Sequence, residues 1–242
     1  MVHRIDFGSA RRKQLQASGV LFMLCLPAPS EAVSLTPPER CLEAPVDVSA
    51  ESADDRRFAC VAAADALQLL GHCGISLRRS LRIDVVKEVR HPLSGPIFGL
   101  FDVKEEKILV AEYASIPALA SSTPYSDLQP RDFYRSLIVH EVVHGVLHQN
   151  YRRKPMSHAA YEYPAYALQI ESLSADVRDR FLGSFEQSAL GPDSNLFNDA
   201  VLFFDPYFFA ARAYRHFKAS ANGCRHLSAL LDGEVPFVAP PN

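Results

Sequence analysis

The amino-acid sequence predicts an α+β domain, in which a small mixed or antiparallel sheet packs on a helix and a mostly helical C-terminal half follows. Two observations support this prediction. Between residues 75 and 113, apolar and polar residues alternate with the period of two that is typical of half-buried strands. From residue 130 onward, the apolar residues recur instead with helical spacing. Strands followed by helices in separate parts of one chain are the arrangement of an α+β fold.

The composition is that of a globular protein. A chain of 242 residues with 48% hydrophobic and 22% charged residues is long enough to bury a full core, and one domain is the simplest expectation. The formal net charge of −3 and the pI near 6.3 do not indicate the basic face that nucleic-acid binding requires. We therefore expect no nucleic-acid partner.

Residues 1–32 have the layout of a secretory signal peptide. A basic stretch at residues 11–13 precedes an apolar run at residues 17–26, and small residues precede a cleavage position after Ala32. The apolar run is too short for a membrane span, and no later segment approaches the ~20 apolar residues that a span requires. The sequence thus predicts a secreted or periplasmic protein without stable membrane insertion.

Four cysteines follow the predicted leader, and an even number in an exported chain predicts two disulfide bonds. They are Cys41, Cys60, Cys73 and Cys224. Cys60 and Cys73 are separated by most of a predicted helix, which places them ~15 to 20 Å apart and disfavours a bond between them. Of the two remaining pairings we expect Cys41–Cys73 with Cys60–Cys224, because an extended segment followed by a returning helix would bring Cys41 to Cys73.

The first half of the chain contains an arm, a helix and the strands. Residues 33–53 are rich in Pro, Ser, Ala and Glu, which predicts an irregular arm with a short strand at 46–48. An apolar helical pattern covers residues 54–70, and Gly71 is its predicted stop. Alternation at residues 75–89 predicts a strand.

A predicted hairpin and a loop connect these elements to the helical half. The strands of the hairpin are residues 97–103 and 107–113, on either side of a polar turn. Residues 115–130 contain three prolines and several serines, which indicates a loop. The predicted helices cover residues 130–149, 160–173, 174–187, 196–219 and 222–231.

The first of these helices carries the segment His140-Glu141-Val142-Val143-His144. Residues four apart on a helix lie on one face, so both imidazoles can reach one ion, while Glu141 lies ~100° around the helix and points beside it. Two imidazoles and a carboxylate suit zinc and leave a position for water. The flanking residues are apolar almost all round the helix, which predicts that the helix is buried in the core. Two histidines and a glutamate would be costly to bury without polar partners, and a bound metal ion would be such a partner. The alternative is that the histidines bond to backbone groups and Glu141 faces solvent.

This segment resembles the zincins and, more narrowly, the gluzincins, whose third ligand is a glutamate on a second helix, often followed by a small residue three positions later. Glu162 lies eighteen residues after His144, and Ala165 follows it at that spacing. The resemblance covers roughly residues 95–175 and assigns residues 54–242 to a zincin-like metallohydrolase domain. It implies that His140, His144 and Glu162 bind zinc.

Other histidines and acidic residues are weaker candidates for the metal. Glu171 competes with Glu162, but it lies on the opposite side of the same predicted helix. His148 could be a ligand, although a surface or supporting role fits better, and His158 is more distant. The metzincin pattern fails because it requires glycine and histidine where this chain has Leu147 and Asn150.

The gluzincin resemblance also implies the remaining parts of a peptidase site. Glu141 would be the base that activates a zinc-bound water, and the strand at residues 108–113 would be a sheet edge that pairs with a peptide substrate. The aromatic run at residues 203–214 has helical spacing and predicts core, with Tyr207 or Tyr214 as a candidate donor to the oxyanion.

One supporting position departs from the gluzincin pattern. Where thermolysin has an aspartate that orients a zinc histidine, four residues after its third ligand, this chain has Tyr166. A backbone carbonyl, Asp199 or Asp205 could take over that role.

The leading hypothesis is therefore an exported zinc metallopeptidase that acts on a peptide or protein. Hydrolysis of another amide or of a cell-wall peptide is a variant of it. The alternative from a different class is a catalytically inactive, zinc-containing binding or inhibitory module. Glu141 argues against that alternative, because a structural zinc site needs no base and is closed by a fourth protein ligand.

Overall fold

The computed structural model describes residues 36–91, 95–121, 123–153, 157–185, 197–219 and 223–234. The predicted signal peptide and cleavage position lie outside these residues. Within them the predicted α+β class is confirmed, with a small mixed sheet at the N-terminal side of the sequence and a helical C-terminal half. None of the described helices is both long enough and apolar enough to cross a bilayer.

The described strands are β1 (Glu39–Arg40), β2 (Val46–Ser49), β3 (Leu81–Val86), β4 (Val89–His91), β5 (Gly95–Ile97), β6 (Gly99–Asp102) and β7 (Lys107–Ala111). Five of them form one sheet in the order β1-β2-β3-β7-β6. The three central strands are parallel, and the outer strands β1 and β6 pair antiparallel to their neighbours. Strands β4 and β5 form a separate antiparallel pair.

The described helices are α1 (Ala53–His72), α2 (Ile116–Ala120), α3 (Pro130–Asn150), α4 (His158–Glu171), α5 (Ala175–Gly183), α6 (Asp199–Phe204), α7 (Pro206–Ala219) and α8 (Gly223–Asp232). Helix α1 connects the parallel strands β2 and β3, which is the crossover that parallel strands require. Helix α3 packs against α1, α4 and the strands β6 and β7, so its apolar residues are buried almost all round. This placement explains why the helix is so apolar.

Helix α3 approaches the sheet closely at Gly145. A Cβ atom at this position would lie 2.9 Å from Leu81 Cδ1 on β3 and 3.4 Å from the ring of Phe101 on β6. The absence of a side chain therefore lets the helix pack tightly against the sheet, one residue after His144.

Several predicted elements are confirmed, and others are shorter or interrupted. The strand predicted at 46–48, the hairpin and the helix beginning at Pro130 are present. The first helix continues past Gly71, its predicted stop, and ends at His72. Gly74, with a φ of 70°, is the glycine that redirects the chain after the helix. The strand predicted at 75–89 begins only at Leu81, because the preceding backbone bonds to the end of α3, where Gln149 accepts from two of its N–H groups.

The C-terminal helices also differ in detail from the prediction. The helix predicted at 196–219 is interrupted at Asp205, whose side chain accepts from the N–H of Phe208, and Pro206 then begins α7. The loop predicted at 115–130 contains the short helix α2. The end of the helix predicted at 174–187 lies outside the described residues, and α5 ends at Gly183.

The predicted number of disulfide bonds is confirmed, but the predicted pairing is wrong. Cys41 bonds to Cys60, with 5.4 Å between their Cα atoms, and Cys73 bonds to Cys224, with 4.8 Å. The prediction assumed that α1 returns over its whole length to Cys41. Strand β2, however, has only four residues. Such a strand spans ~13 Å, which is the length of the first two or three turns of α1. Cys60, which lies in these turns, is therefore the cysteine of α1 that comes close to Cys41, and Cys73 lies farther away.

Two neutral histidines lie where α4, α7 and α8 meet. The Tyr163 hydroxyl shares a hydrogen bond of 2.7 Å with His216 Nδ1, and the centroids of the His216 and His226 rings are 5.0 Å apart. Burial and His216 lower the pKa of His226 to about 4, and burial and Arg212 lower the pKa of His216. The folded state therefore binds fewer protons at these two sites than the unfolded chain does.

We expect the free energy of unfolding to decrease as the pH falls below about 6.5, the ordinary histidine pKa, towards about 4. The sign follows because protonation of His216 and His226 favours the unfolded chain, in which their pKa values are higher. Urea unfolding measured between pH 7 and pH 4 should show a shallower pH dependence in His226→Gln than in the wild type. His72→Gln, which changes an exposed histidine, should keep the wild-type slope. Equal slopes in wild type and His226→Gln would contradict this account.

Candidate metal centre

Helix α3 places two imidazoles at one point, as the spacing of His140 and His144 predicts. Their Nε2 atoms are 3.1 Å apart, and His140 is buried with 9% of its surface exposed. Helix geometry produces this arrangement, since the two residues are one turn apart on the face of α3 that looks towards α4.

Glu162 on α4 brings a carboxylate to the same point. Its Oε2 atom lies 3.2 Å from His140 Nε2, and its Oε1 atom lies 3.5 Å from His144 Nε2. Helix α4 begins one turn earlier, where the Ser157 hydroxyl accepts from the N–H of Ala160. The predicted third ligand thus lies beside the predicted histidines.

The three groups are close enough together to hold one metal ion. Bonds of about 2.0 to 2.1 Å from zinc to imidazole nitrogen and carboxylate oxygen place tetrahedral ligand atoms about 3.3 Å apart. The two Nε2 atoms are 3.1 Å apart, Glu162 Oε2 lies 3.2 Å from His140 Nε2, and Glu162 Oε1 lies 3.5 Å from His144 Nε2. With one ligand atom taken from each residue, all three atoms lie within 4.8 Å of one another. Among the residues that the structure describes, this is the one group of His, Cys, Asp or Glu side chains that could hold a metal ion.

Gln169 orients the first histidine. Its Oε1 atom accepts from His140 Nδ1 at 3.0 Å, and the Gln169 side chain is buried. An Nδ1–H donor leaves Nε2 with its lone pair directed at Glu162 and His144, which is the tautomer that a metal ligand needs. The ring of Tyr166 packs edge-on against His140, with centroids 4.6 Å apart.

Sequence reasoning missed Gln169, although a signal was present. Glu162, Tyr166 and Gln169 are spaced by four and three residues, so they share one face of α4. The suggested alternatives, Asp199 and Asp205, are wrong. Both cap helices, since Asp199 accepts from the first turn of α4 and Asp205 from the first turn of α7.

Glu171 has other partners. It forms an ion pair with Lys218 at 2.9 Å and lies 3.7 Å from Arg178, on the side of α4 away from the histidines. Tyr214 also belongs to this cluster, because it donates to Glu171 and stacks on Arg178. The two residues are therefore apart from the candidate metal centre.

Glu141 lies beside the three groups and is held by strand β6. A Cβ atom on Gly99 would lie 2.9 Å from Glu141 Cγ and 3.0 Å from its Oε1, so only glycine lets the carboxylate lie against the strand. The N–H of Phe101 donates to the same carboxylate. Sequence reasoning identified Glu141 but missed both contacts, which come from the predicted hairpin.

The two carboxylates have opposite electrostatic surroundings. Burial raises the pKa of Glu141 to about 7, repulsion from Glu162 adds to this, and His140 and the Phe101 N–H oppose it. Burial also acts to raise the pKa of Glu162, but His144 and His140 outweigh it, so the pKa of Glu162 lies below its ordinary value. Environments that separate two carboxyl pKa values in this way are typical of an acid–base site.

Strand β6 forms the free edge of the sheet beside helix α3. The prediction that residues 108–113 form this edge is wrong. Strand β7 is paired on both sides, with β3 and with β6. The N–H of Ala111 donates to the carbonyl of Phe98, and because antiparallel bonding alternates, Gly99 and Phe101 turn their backbone groups away from β7. This free edge borders the candidate site.

A cavity of about 770 Å³ opens over the three candidate ligands and Glu141. Apolar and aromatic side chains make up most of its wall, including Phe98, Leu137, Leu202 and Phe203. Tyr207 also lines it, as predicted for an oxyanion donor, whereas Tyr214 is not among the lining residues. Concave, mainly apolar sites with a few convergent polar groups are typical of ligand-binding sites.

The two weaker histidine candidates lie outside the group of three. His148 faces Glu106 at 4.0 Å and packs against the Phe101 ring. His158 lines the cavity with its side chain largely exposed, and Asp199 lies 3.5 Å from its Nδ1 atom. These positions agree with a supporting or surface role for both histidines.

Comparison with known proteins identifies a family without assigning an activity. Residues 46–240, most of the chain, match DUF6639, a family of unknown function. No curated protein and no solved structure matches the chain. The matched residues include both helices of the candidate metal centre and the strand that holds Glu141. On this match the chain belongs to the DUF6639 family.

Proposed function

We propose that this protein is an exported zinc-dependent hydrolase of the gluzincin type and that it cleaves peptide bonds. The observation that carries the proposal is the convergence of His140, His144 and Glu162 within ligand distance of one point, with the buried carboxylate of Glu141 beside them. Two imidazoles and one carboxylate are the ligand set of catalytic zinc sites that keep a position open. Among the described residues no fourth protein ligand joins this group, which favours a catalytic over a structural site.

A zinc ion held by these residues would supply Lewis acidity and lower the pKa of a water ligand. The chain supplies the proton acceptor. Glu141 would take a proton from the attacking water and return it to the leaving amine, and the pKa that burial raises makes its carboxylate a stronger base. Gly99 and the Phe101 N–H hold its carboxylate in place, so its position does not depend on the metal.

The free edge of β6 supports a polypeptide as the substrate. Gly99 directs its N–H and its carbonyl away from the sheet beside Glu141, and Phe101 directs its carbonyl the same way, so an extended chain could pair with these groups while the Phe101 N–H stays with Glu141. Pairing of this kind uses main-chain groups, so it positions a peptide bond without demanding a particular sequence. The role that the resemblance assigned to residues 108–113 therefore passes to β6.

Tyr207 remains the candidate donor to the oxyanion because it lines the cavity. Tyr214, which donates to Glu171 outside the cavity wall, is not proposed for this role. The two disulfide bonds support export, since such bonds persist in oxidising compartments.

The experiment that tests the proposed function is a peptide-library digestion. The protein should cleave peptides, the cleavage should stop when a chelator removes the metal, and added zinc should restore it. Restoration by zinc is the control for nonspecific inhibition by the chelator. Cleavage that continues after complete metal removal would contradict the proposal, and so would a zinc-loaded protein that cleaves no peptide in a broad library.

A further inference from the structure

Two phenylalanines at the end of α6 are exposed, and one of them lines the cavity. Phe203 is 68% exposed and Phe204 is 91% exposed, although both side chains are large and apolar. Phe203 is part of the cavity wall, whereas Phe204 is not among the lining residues. Leu202, which precedes them, also lines the cavity but is buried. Phe203 therefore lies at the mouth of the cavity, where both solvent and a ligand can reach its ring.

Contacts with the start of α4 hold Phe203 at this mouth. Its ring packs against the imidazole of His158, with 5.5 Å between the centroids, and 74% of the His158 side chain is exposed. Asp199 lies four residues before Phe203, on the same face of α6. The Asp199 carboxylate accepts from the N–H of Ala159 at 2.8 Å and lies 3.5 Å from His158 Nδ1. The two rings therefore form a fixed and accessible surface, which we call the His158–Phe203 platform.

The platform lies one turn of α4 away from the third candidate ligand. His158 and Glu162 are four residues apart, so they share one face of α4, and their Cα atoms are separated by about 6 Å. The 5.5 Å between the His158 and Phe203 rings adds to this separation. The Phe203 ring is thus roughly 10 Å from the metal centre, which is the length of about three residues of an extended chain.

The surroundings of the platform favour an apolar ligand. Val103, directly after β6, is another cavity-lining residue with an exposed apolar side chain, of which 49% is accessible. Neither lysine nor arginine occurs among the described residues of the cavity wall, and the two carboxylates there, those of Glu141 and Glu162, belong to the metal centre. An acidic side chain would thus lose its hydration without gaining a cationic partner. An apolar side chain would instead remove its own surface and that of Phe203 from water.

We propose that the His158–Phe203 platform is a distal subsite, which binds an apolar side chain of the substrate about three residues away from the bond that is cleaved. The cleavage step rests on the proposed function, whereas binding of the side chain rests on the platform alone. The substrate is accordingly an extended polypeptide segment with an apolar residue at this distance. This preference is separate from any preference for the residues that flank the cleaved bond.

Binding of short peptides tests this subsite. The probes are acetylated and amidated hexaalanine and its six variants that each carry one leucine. The protein is zinc-loaded Glu141→Gln, in which the expected loss of catalysis keeps the peptides intact. An extended hexapeptide spans about 20 Å, which is enough to reach from the metal centre to the platform. At one position or more, leucine should tighten binding about 5- to 20-fold, the effect of burying an apolar side chain.

Adding Phe203→Ala to this protein should abolish the gain from leucine and leave the affinity for hexaalanine nearly unchanged. The matched control is Phe204→Ala, which removes the same side chain from the neighbouring position outside the cavity wall and should keep the gain. Peptides with lysine in place of leucine should bind no more tightly than hexaalanine. A gain from lysine would show that Asp199 attracts a cation to this place and that the subsite is not apolar.

Titration calorimetry gives these affinities without requiring turnover, and a thermal melt shows that each variant is folded. The subsite would be wrong if leucine gave no gain at any position, if the gain survived Phe203→Ala, or if Phe204→Ala removed it equally. Where the wild type cleaves these peptides, the leucine that depends on Phe203 should lie about two to four residues from the cleaved bond. A gain that depends on Phe203 in a protein whose wild type cleaves no peptide would leave the subsite in place and reject the peptidase activity, so the two failures are distinguishable.

Discussion

Replacing Glu141 with glutamine should lower kcat by about 10²- to 10⁴-fold, which is the usual contribution of general acid–base catalysis. Glutamine has nearly the same volume, so it fits against Gly99, and its amide oxygen still accepts from the Phe101 N–H. The change therefore removes the proton acceptor and little else. The measurement is steady-state cleavage of a peptide identified with the wild type, at saturating substrate.

Metal content and thermal stability are the controls for Glu141→Gln. Both should remain at wild-type values, because Glu141 lies beside the three candidate ligands and is not one of them. A variant that cleaves at the wild-type rate would show that Glu141 is not the base. A variant that loses its metal would show that Glu141 is a ligand and that the helical geometry has been misinterpreted.

Replacing Glu162 with alanine should release most of the metal. Loss of a supporting partner of a metal ligand costs about 10- to 100-fold in affinity, and loss of a ligand itself should exceed that range. His140 and His144 alone form an incomplete site, since the contacts of 3.2 and 3.5 Å from Glu162 complete the group. The measurement is zinc retained after dialysis against a weak chelator.

Glu171→Ala is the matched control, because it removes a carboxylate from the same helix. Glu171 pairs with Lys218 and Arg178, so this variant should retain its zinc. If Glu171→Ala released the metal and Glu162→Ala did not, the third ligand would be Glu171 and the arrangement described for α4 would be incorrect.

Local sequence patterns were sufficient to predict the fold class and several elements. The helix beginning at Pro130 has an unbroken helical pattern, and the hairpin has a clear polar turn. The patterns did not predict long-range features. The disulfide pairing depends on how far α1 travels while β2 advances four residues, and the break at Asp205 depends on a single capping side chain.

The candidate site likewise combines features that local patterns predict with features that depend on long-range contacts. The His140–Glu141–His144 segment is local, so its geometry follows from helix periodicity alone. Glu162 required the resemblance to gluzincins, because no local pattern relates two helices. Gly99 acts through a contact with a distant part of the chain that no local pattern predicts, whereas the helical spacing of Gln169 from Glu162 was a signal for its place on the same face of α4.

The zinc content of the purified mature protein tests the central claim most directly. Elemental analysis after gentle purification without chelators should find about one equivalent of zinc per chain, because two imidazoles and one carboxylate that converge on one point match the ligand preference of this ion. A protein that contains no zinc, and that does not take up one equivalent when zinc is supplied, would contradict the account.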